Sequence, residues 1–415
     1  MKNRANHYDA IIIGGGVGGL TVALGLSKMG KKVILFEKNK KIGGNCTSWK
    51  LGDYTFDTAV HQLTGMSHHG TCGNILKDLG IFDKLSFKAI DPFLNVVFPD
   101  KEYCIPNTIE KQERLFSEYF PSERKSIHRI LIKLSNTKKD LYIVQKMLYD
   151  KNPSIDRMVK NYVSFNKKLT FPFTIIPLYL DLFKNGESIF RRYIKNDKLY
   201  SMLTASWPYI GVPPKYASGL MLSTLFISQA LEQTYYPIGS SQKIADVFVE
   251  AIKEFGGEIR EATPVRKILI DENEAQGIVS DNGTASGKAI ICNAPAYYVF
   301  SELVDPKYLS NGFLHSLQNI ETSIGPFKVY LGLDYNIANS GLENHEYLFY
   351  ESYDHEKIYE NFKNAKIDML SAYSPTKADP SLAPKGHSTL ILTTMLPWKT
   401  NPDWRSHKNE IKERM

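Results

Sequence analysis

The chain has 415 residues, of which 43% are hydrophobic, 12% aromatic and 23% charged. At roughly 150 residues per domain this length suits two or three domains around a large buried core, and the composition excludes disordered, collagenous and simple coiled-coil chains. The formal charge is +7, yet 14 Lys/Arg against 6 Asp/Glu lie between Lys111 and Lys168, and the remainder is close to neutral. A local basic stretch meets anionic lipid, nucleic acid or only water. No nucleic-acid-binding motif accompanies this one, so nucleic acid is not an expected partner. Cys46, Cys72, Cys104 and Cys292 form no CxxC pair, and their spacing suggests neither a disulfide framework nor a zinc site. A reducing, cytoplasmic setting follows as the default. The early apolar run at residues 10–13 is too short for a signal peptide. No run reaches the 18 or so apolar residues of a spanning helix.

In chain order, residues 1–91 alternate strand-like and helix-like runs among many glycines. Residues 8–13 read as a buried strand. Residues 17–29 read as a helix, with Leu20, Ala23, Leu24 and Ser27 near one face, and residues 32–37 as a second strand. That β-α-β order implies parallel strands with a right-handed crossover. Residues 92–231 are rich in Lys, Tyr and Phe and read as mostly helical, with apolar stripes at Leu115, Phe116, Tyr119 and Phe120 and again at Ile127, Ile130, Leu131 and Leu134. From 232 to 296 the β/α texture returns. A helix at 244–255 is closed by Gly256-Gly257, and short strands follow around Ile259 and at 265–269, 275–280 and 288–292. Asp281-Asn282-Gly283 supplies a turn. Residues 297–415 are mixed, with strands at 327–333 and 388–392. The alternation predicts an α/β protein of two interleaved domains. One is built from residues 1–91 and 232–296 and binds the cofactor. The other, α+β, is built from 92–231 and 297–415 and binds substrate.

The strand at 8–13 runs into Gly14-Gly15-Gly16-Val17-Gly18-Gly19, a G-x-G-x-x-G at the start of a helix. Gly14 permits the tight turn, Gly16 lets backbone approach a pyrophosphate, and Gly19 lets helix pack on strand. The helix start, with Val17 and Gly18, offers free N–H groups and a positive dipole end to phosphates. Glu37 ends the next strand, 23 residues after Gly14. A carboxylate there accepts hydrogen bonds from ribose hydroxyls and repels a 2′-phosphate. Strand, glycine loop, helix and acid together predict a dinucleotide site.

Further residues carry a resemblance. After Glu37-Lys38 the pattern Glu-x-x-x-x-x-Gly43-Gly44-Asn45 is similar to FAD enzymes of the glutathione-reductase-like superfamily. Within it, residues 43–49, the Tyr54-Thr-Phe-Asp57-Thr-Ala-Val-His61 segment, Asn196-Asp197, Gly211-Val-Pro-Pro214, Tyr235-Tyr236-Pro237-Ile-Gly239, residues 245–260, Asn293-Ala294-Pro295 and residues 327–333 resemble the phytoene desaturase, carotenoid isomerase and retinol saturase group. The His61 segment makes retinol saturase-like members look closest. The resemblance implies FAD bound by a discontinuous Rossmann-type domain. In this frame Gly43, Gly44 and Asn45 approach the flavin side, the backbone at Val265 faces the adenine, and the Asn293-Ala294 turn lies near the cofactor. His61, Gln62, Tyr236 and Pro237 approach the isoalloxazine. It also implies a closing strand-helix unit with a Gly-Asp turn. The chain stops at Met415 in a Lys/Glu-rich helix-like run from near Asp403, so that unit is expected to be absent, through truncation or because a second polypeptide supplies it. A second departure is Ser240, where the family usually carries glycine.

A flavin performs hydride chemistry itself, and the protein supplies orientation, electrostatics and dryness. The expected activity is FAD-dependent desaturation, saturation or isomerisation of a carotenoid or retinoid. NADH or NADPH stands as an alternative reductant. His61 is the candidate for proton transfer, since its ordinary titration range suits the task; a hydrogen-bonded structural histidine is the alternative. No metal is expected, because His61, His68 and His69 have no helical ligand spacing. Cys46 is expected to be a packed thiol. Residues 169–183 are apolar and aromatic, with Lys167, Lys168 and Lys184 at the borders and Pro172 and Pro177 inside. They are too short to span a bilayer and read either as core or as a peripheral contact with an anionic membrane, through which a lipid-soluble substrate enters. Rival functions are a flavin amine oxidase acting on another apolar substrate and a non-catalytic remnant or half of a split FAD-binding protein.

Overall fold

The computed structural model describes residues 7–148, 171–320, 323–397 and 408–415. The chain forms two compact units, each assembled from three separate stretches. The first takes Met1–Lys88, Tyr235–Thr322 and Pro375–Thr389, and the second takes Ala89–Thr234, Ser323–Ser374 and Leu390–Met415.

At the centre of the first unit is an all-parallel sheet in the order Glu258–Arg260, Val33–Phe36, Ala10–Ile13, Ile290–Cys292. The strand Ala10–Ile13 is buried throughout, as its unbroken apolar run requires of a parallel strand covered on both faces. Helix Val17–Lys28 and helix Gln242–Glu254 cover one face, where Leu20, Ala23 and Leu24 pack with Ala245, Phe248 and Ile252. The other face is covered by a mixed sheet in which Val265–Asp271, Glu274–Ser280 and Gly283–Gly287 run antiparallel and His7–Tyr8 joins the last in parallel, with Ile268 and Ile278 packed on Ile11, Ile13 and Ile34. The hairpin between the last two strands turns at Asp281-Asn282, as the turn residues predict, but the strand Gly283–Gly287 was not anticipated. Residues 297–322 belong to this unit and not to the substrate unit expected from the sequence. The reason is packing: Val299 and Leu303, in the π-helical turn Val299–Leu303, join the cluster of Ile268 and Ile278. Residues 375–389 return to it as well, tied by a bond from Gly239 N to Asp379 Oδ2 of 2.7 Å. Among the described residues, Ile290–Cys292 pairs with Ala10–Ile13 and stands last in its sheet. Beside it lies a mostly apolar cavity of about 490 Å³ lined by Ile268, Ile270, Ile290, Cys292, Ala294 and Phe300.

The second unit is built on a six-stranded mixed sheet in the order Ile324–Leu333, Ser388–Pro397, Met369–Tyr373, Glu346–Tyr350, Leu94–Phe98, Lys101–Ile105. Its core joins one face of this sheet, at Leu94, Val96, Phe98, Leu348 and Tyr350, to helices carrying Phe116, Ile127, Ile130, Leu134, Phe190 and Leu222. The stripe predicted at 127–134 therefore faces the core, as do Leu115, Phe116 and Phe120 of the stripe before it, while Tyr119 is exposed. The described part of residues 92–231 is mostly helical, as read, but it also carries two strands of this sheet. Leu94–Phe98 and Lys101–Ile105 form a hairpin, and the first pairs in parallel with Glu346–Tyr350. That partner lies some 250 residues away in sequence, so no local period reports it. Trp207 is fully buried in this core, with ring centroids 6.0 Å from His355 and 6.1 Å from Phe362.

Part of the apolar stretch 169–183 lies outside the described residues. The rest forms one helix, Phe171–Leu182. It runs on through both prolines. Pro172 falls in the first turn, where its missing N–H costs nothing.

Candidate cofactor site

The glycine loop takes the shape that its residues demand. Gly14 has φ +101°, outside the comfortable range of side-chain-bearing residues, and a Cβ there would lie 2.6 Å from the Asn293 carbonyl oxygen. A Cβ on Gly19 would lie 2.1 Å from the Gly14 carbonyl oxygen, so helix Val17–Lys28 reaches its strand only without one. Gly16 precedes the helix as its N-cap, with no side-chain cap, and leaves the first N–H groups of the helix to an incoming group.

The second glycine pair closes the loop from the other side. Gly43 N donates to Gly15 O at 2.9 Å, Gly16 and Gly43 form a parallel bridge, and a Cβ on Gly44 would stand 3.0 Å from Gly16 Cα. Two stretches of backbone thus meet face to face, which explains why the Glu37-to-Gly43 spacing carries a pair of glycines.

Glu37 is 5% exposed. Its Oε2 accepts from Gly15 N at 2.8 Å and its Oε1 from Asn39 N at 2.8 Å. Each carboxylate oxygen has two lone pairs, so acceptor capacity for hydroxyls remains. The backbone of the same turn is bracketed by Thr263 N to Glu37 O at 2.8 Å and Ala262 N to Asn39 O at 3.0 Å. This brings Val265, which opens its strand and packs on Ile13 and Phe36, beside the acid. Asn293 N donates to Ile13 O at 2.7 Å, and its side chain crosses the loop: a Cβ on Gly18 would meet Asn293 Oδ1 at 2.8 Å. Ala294 follows it and lines the cavity beside the sheet edge.

Gly14, Gly16, Gly18, Gly19, Glu37, Gly43, Gly44, Val265 and Asn293 are therefore gathered around one cradle. Val17 and Asn45 are exposed at its rim. Lys38 is exposed and lies 5.6 Å from the Tyr298 ring centroid, away from the loop. His61 and Gln62 are half-buried in the bend after strand Tyr54–Asp57. Tyr236 and Pro237 are buried at the end of strand Thr234–Pro237, and the Tyr236 hydroxyl donates to Asp57 Oδ2. The two segments expected beside the isoalloxazine thus converge through Asp57. Sequence reasoning gave that residue no role, for its partners are scattered along the chain. Burial, with the Asp57 charge as a smaller cause, pushes the Cys46 thiol up to about 11, so it stays protonated and unreactive at neutral pH. His68 is exposed, lies edge-on to Phe82 and His69, and has its Nδ1 3.3 Å from Lys77 Nζ.

A glycine loop capping a helix, an acid behind it and a second glycine turn pressed onto the first form the frame of a Rossmann-type FAD-binding protein, and the residues present fit that cofactor. The chain belongs to the family of flavin-containing amine oxidoreductases, whose profile matches residues 17–414. It is a FAD-dependent oxidoreductase. It is 23% identical over 430 residues to an inactive all-trans-retinol 13,14-reductase of Danio rerio, covering 98% of this chain and 68% of that protein. It is 25% identical over 424 residues to a 4,4'-diapophytoene desaturase of Methylomonas sp, covering 99% and 78%. The fold is similar to that of an oxidoreductase from Methanosarcina mazei, with a TM-score of 0.65 at 16% identity over 98% of this chain and 83% of the other.

Proposed function

We propose that this protein exchanges hydride between its flavin and a carbon–carbon bond of a hydrophobic polyene, a carotenoid or retinoid, in desaturation, saturation or cis/trans isomerisation. The observation that carries this reading is the match, over nearly the whole of this chain, to the two relatives above, both named for polyene substrates. The family's own name speaks of amines, which makes amine oxidation the rival. The bound flavin supplies the hydride chemistry. The chain's residues hold and orient it: Gly14 to Gly19 with the helix N-terminus for the pyrophosphate, Glu37 for the ribose, Gly43 and Gly44 for the stretch beyond. His61 is assigned the proton that accompanies hydride transfer, supported by its place four residues after Asp57, which is bonded to Tyr236. In purified protein loaded with FAD and kept free of oxygen, a polyene is expected to reoxidise the photoreduced flavin as it is saturated, to reduce the oxidised flavin as it is desaturated, or to isomerise with the flavin's redox state unchanged, in each case with a shift in the polyene's absorption. Polyenes that change neither the flavin in either redox state nor their own absorption, beside amines that reduce the oxidised flavin, overturn the reading in favour of the rival.

The enzyme is further proposed to meet its substrate at an anionic membrane surface in a reducing compartment. Among the described residues no helix is long and apolar enough to cross a membrane. Helix Phe171–Leu182 and the residue after it, however, expose Ile176 at 51%, Tyr179 at 57% and Phe183 at 73%. On the buried side of the same helix Asp181 is neutralised by Lys133 at 2.7 Å and Lys184 at 3.1 Å. Such a helix suits the headgroup boundary, and the four free cysteines suit the compartment. A Tyr179→Asp, Phe183→Asp double variant is expected to lose flotation with anionic vesicles and keep its flavin; unchanged flotation removes this contact. The edge of Ile290–Cys292 and the cavity beside it support docking of a further strand, from this or a second polypeptide.

A further inference from the structure

A buried carboxylate joins separate parts of the first unit. Asp57, 1% exposed, ends strand Tyr54–Asp57. Its Oδ1 accepts from Ser48 Oγ at 2.8 Å, Ser241 N at 2.9 Å and Ser241 Oγ at 2.6 Å, and its Oδ2 accepts from the Tyr236 hydroxyl. All four donors are neutral, and Ser241 caps helix Gln242–Glu254, so the charge rests at the positive end of a helix.

The network reaches the cofactor loop from behind. Ser48 Oγ bonds Ser240 Oγ at 2.8 Å and accepts from Gln242 N at 3.1 Å, and Gln242 Nε2 donates to Ile42 O at 3.0 Å. A Cβ on Gly43 would stand 3.0 Å from Ala245 Cβ, so the first turn of the same helix backs directly onto the glycine pair. A second carboxylate, Asp379, holds Gly239 N at 2.7 Å and is itself fixed by Ser381 N at 3.1 Å and Ser381 Oγ at 2.6 Å. Between the two acids the chain makes a tight corner, with Gly239 at φ +88° and Ser240 at φ +74°. Left-handed backbone at a serine is costly. Here the corner is held on both flanks and the Ser240 hydroxyl is bonded, which accounts for a serine in that conformation.

We infer that Asp57 is a positioning residue for the flavin half of the cofactor, acting through the 42–48 turn and the 236–241 corner. The adenosine half, resting on Gly14 to Gly19 and Glu37, does not depend on it. The inference rests on the reading of the cradle as the FAD site. The discriminating measurement is the affinity of the full chain for FAD and, separately, for ADP. Asp57→Asn is expected to weaken FAD about tenfold or more, the loss of a charge-assisted bond, to leave ADP within about twofold, and to blur the vibrational structure of the bound flavin's absorption. Should Asp57→Asn not fold, Ser241→Ala, which keeps the carboxylate, is expected to weaken FAD alone by a smaller factor. FAD and ADP weakening together would mark a merely structural role, and neither moving would deny any role; both overturn the inference. A wild-type chain that binds neither ligand overturns instead the cofactor reading beneath it.

Discussion

Gly19→Ala is expected to weaken flavin binding by roughly thirtyfold while leaving most of the protein folded. The added methyl would lie 2.1 Å from the Gly14 carbonyl oxygen and 3.4 Å from Asn293 Cβ, and the first of these is backbone with no rotamer to yield. Relief requires helix Val17–Lys28 to move off its strand, carrying its N-terminal N–H groups with it. Overpacking of this kind costs about 2 kcal/mol, equal to roughly thirtyfold in affinity if it falls entirely on the bound state. The control is Gly25→Ala in the same helix, where a Cβ meets nothing within 4 Å. That change is expected to retain FAD and stabilise the helix by about 0.5–1 kcal/mol. Titration with FAD and thermal melts of the two variants separate the cases. Equal affinities for both would mean that the loop does not carry the cofactor.

The second large effect is a loss of stability in acid, traced to His355. This side chain is 1% exposed, and its Nε2–H donates to Ser201 O at 2.9 Å. Its Nδ1 has no partner. Burial brings its titration down to about 4, against a small upward push from the Ser201 bond and from Asp354. A proton added at Nδ1 would meet no acceptor, and it would sit in the first turn of helix His355–Lys363, near the positive end. The unfolded chain binds that proton near pH 6.5 and the folded chain only near pH 4. Between these values the unfolded state holds more protons, and stability falls as pH drops. Across the window the loss is about 3 kcal/mol. Denaturant melts followed by tryptophan fluorescence at pH 7.5, 5.5 and 4 report it, since the Trp207 ring lies 6.0 Å from that of His355. His355→Gln is expected to flatten the slope. Identical slopes for the two proteins would reject the assignment.

The cofactor cradle was legible because its parts are contiguous. The loop 14–19, the acid at 37 and the glycines at 43 and 44 are separated by spacings that one βαβ unit dictates, and the structure supplies the contact behind each. Legibility fades where partners are remote. Glu346–Tyr350 and Met369–Tyr373 went unread, as short apolar runs whose pairing lies elsewhere in the chain look alike as strand or helix. The extents of the two units differ from those expected because 297–322 and 375–389 are placed by packing and by one aspartate, with no shift in composition to announce them. Asp57 stood in plain view as one acid ending a strand. Its four donors come from Ser48, Tyr236 and Ser241, and only the folded chain brings them together.

The parallel sheet of the first unit also sets a timetable. Val33–Phe36 and Ala10–Ile13 are made well before their outer partners, Glu258–Arg260 and Ile290–Cys292. At about 10 residues per second the ribosome needs roughly 25 s to deliver the later strands. During that interval two wholly apolar strands have unpaired edges, and every residue of the second unit's first segment must emerge before they close. Long-range parallel pairing is slow to form even when both partners are present. The nascent amino-terminal stretch is therefore the point at which this protein most needs a chaperone. Fragments ending before Glu258 are expected to aggregate before they can bind a nucleotide.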